Sequence, residues 1–332
     1  MKRDIHQPSD FFEYVRVNGS VPPPSRDRVD AVILDMNHAW PNLGHDSIVH
    51  AVMDVAEEQR ETLVAAGAKV RALSFDVRRG LKVPERRRFD LFIGTGGPGQ
   101  LDPRLNNGMS ETSQGTNEDP SWEAPLFRLY DDIMARDAAL IGICHSFGLM
   151  CRWSGAARVA LRQEKSAGMP FNALAESAAA HPWFGEFAAL LPDRRHFRVV
   201  DNRLFDLIVD QPRGPQHIAF EDDDSDALTI LELARDDDGM PRVFGVNHHP
   251  EIVDREHALT VLEEKRAHHE VTERWVRERA ETMTEMFVGE AERQSRLTSE
   301  YTLIGPLRHH VNRLVEERCG ALATLAEPLA RQ

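Results

Sequence analysis

Apolar residues fall in short blocks along this chain, and their spacing switches between two periods. "VDAVILDM" (29–36) holds Val32, Ile33 and Leu34 in a continuous run, the pattern of a strand covered on both faces. Helical spacing follows from Asp46 to Ala66, then the strand-type blocks "AKVRALSF" (68–75) and "FDLFIGTGG" (89–97). A helix is expected near 123–137, followed by "AALIGIC" (138–144). Strands alternating with helices predict parallel βαβ units and a doubly wound, mostly parallel α/β sheet.

Beyond Cys144 the pattern changes. "ARVAL", "HFRVV", "LFDLIVD", "QHIAF", "ALTILELA" and "RVFGVNHHP" are short β-type pieces divided by turn residues, which predicts additional antiparallel or mixed strands. From Asp254 the character is helical. Leu259, Leu262, Val271, Trp275 and Met283 recur among dense charges, and a second helical stretch runs from about Leu307 to Leu325 behind Gly305-Pro306. Residues 1–28 contain Pro22-Pro23-Pro24 and read as an extended arm, because proline supplies no ladder donor. The expected organisation is an N-terminal arm (1–28), an α/β domain (29–253) and a helical C-terminal extension (254–332), whose helices cap the domain or form a homodimer contact.

Composition narrows the function. A net charge of −14 argues against a nucleic-acid partner, since phosphates demand clustered Lys and Arg; Arg86-Arg87-Arg88 reads as a solvated turn. Neither a secretory leader nor a run of roughly 18 apolar residues is present, so no membrane role and a cytoplasmic location are expected. Cys144, Cys151 and Cys319 have no metal-ligand spacing, so neither a metal nor a disulfide is expected, and no cofactor motif stands out. The acidic run Glu221-Asp222-Asp223-Asp224 reads as a solvated loop, with weak cation binding as the alternative.

Candidate chemistry lies at the strand ends. The block "LIGICHSFGLM" (140–150) ends a strand in Gly142-Ile143-Cys144 and turns straight into a helix, the arrangement of a nucleophile elbow. A helix N-terminus favours thiolate over thiol, and its free amides face any oxyanion formed there. A thiolate needs a base, and "VFGVNHHPEI" (243–252) ends another strand in His248-His249-Pro250-Glu251. "GTGGPGQ" (94–100) offers backbone amides unobstructed by side chains. The connection that follows it, residues 100–122, is long for an α/β loop and reads as a lid over the site or as disorder. Near the first strand, His38, Trp40, Asn42 and His45 are candidates for substrate contact, with loop packing as the alternative.

These residues resemble the class I (triad) glutamine amidotransferase family. The resemblance rests on "TGGPG", on "GIC" before a helix, on "SGAARVAL" after it and on "VFGVNHHPEI", in that family's chain order over about 29–253. It implies Cys144 as nucleophile, His249 as base and acid, Glu251 as orienting carboxylate, and the amides of Gly97 and His145 as oxyanion hole. Gly96, Pro98, Ser146, Gly148 and His248 are candidates for substrate binding. The activity implied is cleavage of the side-chain amide of glutamine, or of a γ-glutamyl-like substrate, through a thioester, with ammonia passed to a separate synthetase or acceptor subunit. Two departures stand out: Ser146 replaces a glycine, and Gly148 replaces the glutamine of the family's C-x-G-x-Q elbow. They leave two alternatives: a non-catalytic regulatory or binding subunit, and an intracellular-protease-like hydrolase using Cys144-His145.

Overall fold

The computed structural model describes residues 4–23 and 25–326; Pro24 of the proline run and both chain ends lie outside the described residues. The chain runs through β1 (Phe12–Arg16), β2 (Arg28–Asp35), α1 (Gly44–Glu58), α2 (Arg60–Ala66), β3 (Lys69–Asp76), β4 (Leu91–Gly94), α3 (Glu123–Ala135), β5 (Ala139–Ile143) and α4 (His145–Ser154). There follow β6 (Arg158–Gly168), β7 (Phe171–Leu174), α5 (Phe184–Leu190), β8 (His196–Arg198), β9 (Asp201–Ile208), β10 (His217–Phe220), β11 (Leu228–Arg235) and β12 (Pro241–Val246). The chain closes with α6 (Arg255–Ala267), α7 (Glu273–Met286), α8 (Glu290–Ser299), a π-helical turn (Glu300–Ile304) and α9 (Gly305–Ala326).

One ten-stranded sheet has the order β1-β3-β2-β4-β5-β12-β11-β10-β7-β8. Its first six strands are parallel and the remaining pairings antiparallel. A separate antiparallel ribbon joins β6 to β9. Alternation along the central strands divides the core: Ala31 and Ile33 face α1 and α9, whereas Val32 and Leu34 join the layer containing Leu126, Leu129 and Met150. The doubly wound α/β reading therefore holds. The registers Gly94↔Gly142 and Val246↔Ile143 end β4, β5 and β12 side by side, so Thr95–Gly97, Cys144 and Asn247–His249 emerge at one carboxyl edge.

Two expectations are corrected. The segment 1–28 is no mere arm, because β1 pairs with β3 from Phe12↔Val70 to Arg16↔Ser74 and buries Phe11 and Phe12. Ion pairs Arg16–Asp35 (2.9 Å) and Arg28–Glu13 (3.0 Å) tie that edge down. The helices after Asp254 likewise do not stand outside the domain. Leu307, Val311 and Val315 of α9 are fully buried in the core that contains Ile33, Val49 and Ile141. Each such side chain contributes about 1.5–3 kcal/mol, so this apolar stripe is spent within the chain and is not available to a homodimer.

Candidate active site

Cys144 sits between β5 and α4 with φ 49° and ψ −101°, a conformation that costs a non-glycine residue about 1–3 kcal/mol. Its N–H donates to the Val246 carbonyl (2.8 Å), and its own carbonyl accepts from Gly148 N–H (3.0 Å), so both neighbours hold the strained turn. The consequence is a half-buried thiol at the tip of the sheet, beside the first turn of α4.

His249 comes from the segment after β12. Its N–H donates to the Val200 carbonyl (2.8 Å), while Ser299 Oγ donates to the Pro250 carbonyl (2.6 Å) and secures the turn. The ring places Nδ1 2.9 Å from Glu251 Oε1, and its other edge lies beside Cys144 across Gly96. Burial opposes a charged imidazole here, but the Glu251 carboxylate and Cys144 outweigh it and hold His249 well above the usual histidine range. Glu251 is fully buried, and a Cβ added to Gly44 would lie 2.6 Å from its Oε1, so the N-terminus of α1 abuts the carboxylate.

The glycine loop after β4 forms the opposite wall. A Cβ on Gly96 would lie 2.9 Å from His249 Cε1 and 3.5 Å from Cys144 Cβ, so only glycine fits there without moving the ring. The loop is braced from behind by Arg78, whose Nη1 donates to the carbonyls of Met36 (2.9 Å) and Pro98 (2.7 Å). Arg78 Nε pairs with Glu118 Oε2 at 2.8 Å, both side chains being fully buried. Gly97 and the first residue of α4, His145, line the same cavity as Cys144.

The other sequence candidates divide. Pro98, Trp40 and Asn42 line the cavity above Cys144, whereas His38 and His45 do not; His45 bonds to Asp46 and Ser74 (2.7 Å each) behind α1. Ser146 turns away from the cavity and donates from Oγ to the Thr95 carbonyl (2.7 Å), so it does not narrow the pocket. His248 is also outside it. Burial, together with His249 and Arg203, pushes its imidazole down to about 3, and Nε2 meets Thr302 Oγ1 at 3.2 Å, which makes it a neutral core group. The His145 ring is buried and is held well below the usual histidine range by burial and by Arg78 and Arg152. Glu221 pairs with Arg162 and Arg203 at 2.8 Å each, leaving it structural rather than a cation ligand.

The 100–122 segment is ordered by packing and polar contacts. Besides Arg78–Glu118, Asn106 bridges the Gln100 carbonyl and Glu118 (2.9 Å each), and Leu101 and Gln114 enter the cavity. Leu101 explains Gly148: a Cβ there would stand 2.5 Å from Leu101 Cδ1 and 2.6 Å from Cδ2. An apolar side chain thus occupies the space into which a residue at 148 would extend. The cavity, about 400 Å³, falls within the roughly 300–1,000 Å³ of small-molecule sites. Its outer wall comes from the β6–β9 ribbon and from Trp275, Arg279, Met283 and Met286, one face of α7. Sequence reading had placed Trp275 and Met283 in an amphipathic helix without connecting that face to the site. Two groups, Asp4/His6/His268 and Asp236/His309/His310, have side chains suited to a metal ion, but neither contributes to the cavity.

No protein-family model matches the chain, and no curated protein matches its sequence. Among solved structures, a glutamine amidotransferase from Thermotoga maritima aligns with a TM-score of 0.50 and 15% identity, over 87% of this chain and 98% of that one. A glutamine amidotransferase from Methylobacillus flagellatus aligns with a TM-score of 0.44 and 16% identity, over 88% and 94%. The glutaminase domain of Trypanosoma brucei CTPS, with bound acivicin, gives 0.43 and 9%, over 72% and 94%. The fold is class I glutamine amidotransferase-like, as the elbow and strand-end motifs implied.

Proposed function

We propose that the protein is a cysteine-dependent amide hydrolase or amidotransferase that cleaves the side-chain amide of glutamine or a γ-glutamyl-like substrate. One observation carries this reading: the strained Cys144 stands beside His249, which is held by Glu251, in one cavity. Cys144 sulfur attacks the amide carbonyl, and the oxyanion is received by the amides of Gly97 and His145. The His249 imidazolium, maintained by Glu251, gives its proton to the departing nitrogen as the C–N bond breaks. Water, deprotonated by His249, then hydrolyses the thioester. A separate synthetase or acceptor subunit consumes any ammonia released. The reading places the protein in the cytoplasm, where three free thiols stay reduced; among the described residues no helix is long and apolar enough to cross a membrane.

The test is labelling with a glutamine-mimicking diazo-ketone, located by mass spectrometry with and without excess glutamine. A Cys144 adduct suppressed by glutamine supports the reading in full. Labelling by a general thiol reagent alone keeps the hydrolase and removes free glutamine. Resistance of Cys144 to both, together with unchanged biological activity in Cys144→Ala, would leave a non-catalytic binding subunit.

A further inference from the structure

The two sides of Cys144 differ in chemistry, and the side that receives the leaving group is built for more than ammonia. A departing nitrogen must lie next to His249, its proton donor. The residues around His249 and Glu251 belong to one apolar cluster: Leu43, Val200 and Ile252 pack with Trp275, Met283 and Met286 of α7. The opposite side, around α4, is a different cluster in which Leu101 meets Phe147 and Leu207. Helix α7 therefore walls the leaving-group side.

That wall also carries a cation. Lys165 and Arg279 are cavity-lining cations with no carboxylate partner among the described residues; the Arg279 guanidinium lies over the Trp275 ring, 5.6 Å from its centroid. Arg203, also in the cavity, is by contrast held by Asp201 (3.1 Å) and Glu221 (2.8 Å). Arg279 lies one helical turn after Trp275 and one before Met283, so apolar surface and positive charge share one face.

Resting on the function proposed above, we propose that the substrate is a secondary amide whose leaving amine carries an apolar body and a carboxylate, the body against the α7 wall and the carboxylate on Arg279. The amine of a large apolar amino acid has this chemistry. The reaction balances without a further reagent. Sulfur bonds to the carbonyl carbon, the C–N bond breaks with its electron pair going to nitrogen, and His249 supplies the proton. Water then returns the thiol and releases the acid.

The test uses the amine product, so it does not depend on the acyl group. Alkylation of Cys144 by iodoacetamide is followed by mass spectrometry in the presence of L-phenylalanine, L-phenylalaninamide or glycine, for wild type, Arg279→Ala and Arg279→Lys. Phenylalanine is expected to slow alkylation, with phenylalaninamide and glycine weaker by about tenfold, the range of one charged hydrogen bond. Arg279→Ala should abolish the protection and Arg279→Lys should retain part of it. Equal protection by glycine, no protection by phenylalanine, or protection unaffected in Arg279→Ala overturns the inference while a reactive Cys144 keeps the hydrolase. An inert Cys144 removes the hydrolase and the inference together.

Discussion

Restoring glutamine at position 148 tests the most specific feature of the site. Glycine at 148 has a Cβ direction that runs into Leu101, with Cδ1 at 2.5 Å, Cδ2 at 2.6 Å and Cγ at 3.1 Å. Ordinary carbon contacts lie near 3.5–4.0 Å, so Gly148→Gln requires Leu101 to retreat by roughly 1 Å or more. Leu101 is 4% exposed and packs against Phe147 and Leu207, which leaves it little room. Overpacking of this kind costs about 1–3 kcal/mol, and Leu101→Ala alone costs about 2–5 kcal/mol by opening a cavity. In the double variant the glutamine chain fills the space that leucine vacates, so its cost should fall below the sum by about 0.5–3 kcal/mol. Chemical denaturation of the four proteins gives these energies, and glutaminase assays on the same set show whether position 148 governs use of free glutamine. We expect activity on glutamine to rise only in the double variant. Strict additivity, with Gly148→Gln costing nothing, would refute the placement of Leu101.

Three further outcomes follow from the same geometry. Gly96→Ala should push the His249 ring, 2.9 Å from the new Cβ, and lower kcat by about a hundredfold with little change in melting temperature; wild-type turnover would place His249 elsewhere. Glu251→Gln removes the charge that raises His249. The imidazolium persists below that raised value and is lost as pH rises through it, so the alkaline limb of activity should move to lower pH, with roughly 10³–10⁴-fold loss of kcat. Glu118→Ala leaves Arg78 buried without its carboxylate, and should cost about 3–5 kcal/mol and speed hydrogen exchange across residues 99–119.

The sequence by itself determined what depends on short-range pattern. Continuous apolar runs such as Val32-Ile33-Leu34 require cover on both faces, and strand-to-helix turns at Cys144 and after Val246 are local, so the α/β architecture and the three strand ends were legible. Tertiary structure decided everything that depends on which distant segments meet. Phe11 and Phe12 join the sheet because β3 has a free edge, and α9 enters the core because its apolar stripe packs on the same sheet face as α1. Ser146 and His248 sit beside the key residues in sequence, yet the pitch of α4 and the path of the turn after β12 aim them at Thr95 and Thr302. Leu101 and Arg279 reach the cavity from segments 43 residues before and 135 residues after Cys144, a proximity with no local periodicity to announce it. Spacing along a chain reports which face a residue occupies; only packing decides what that face meets.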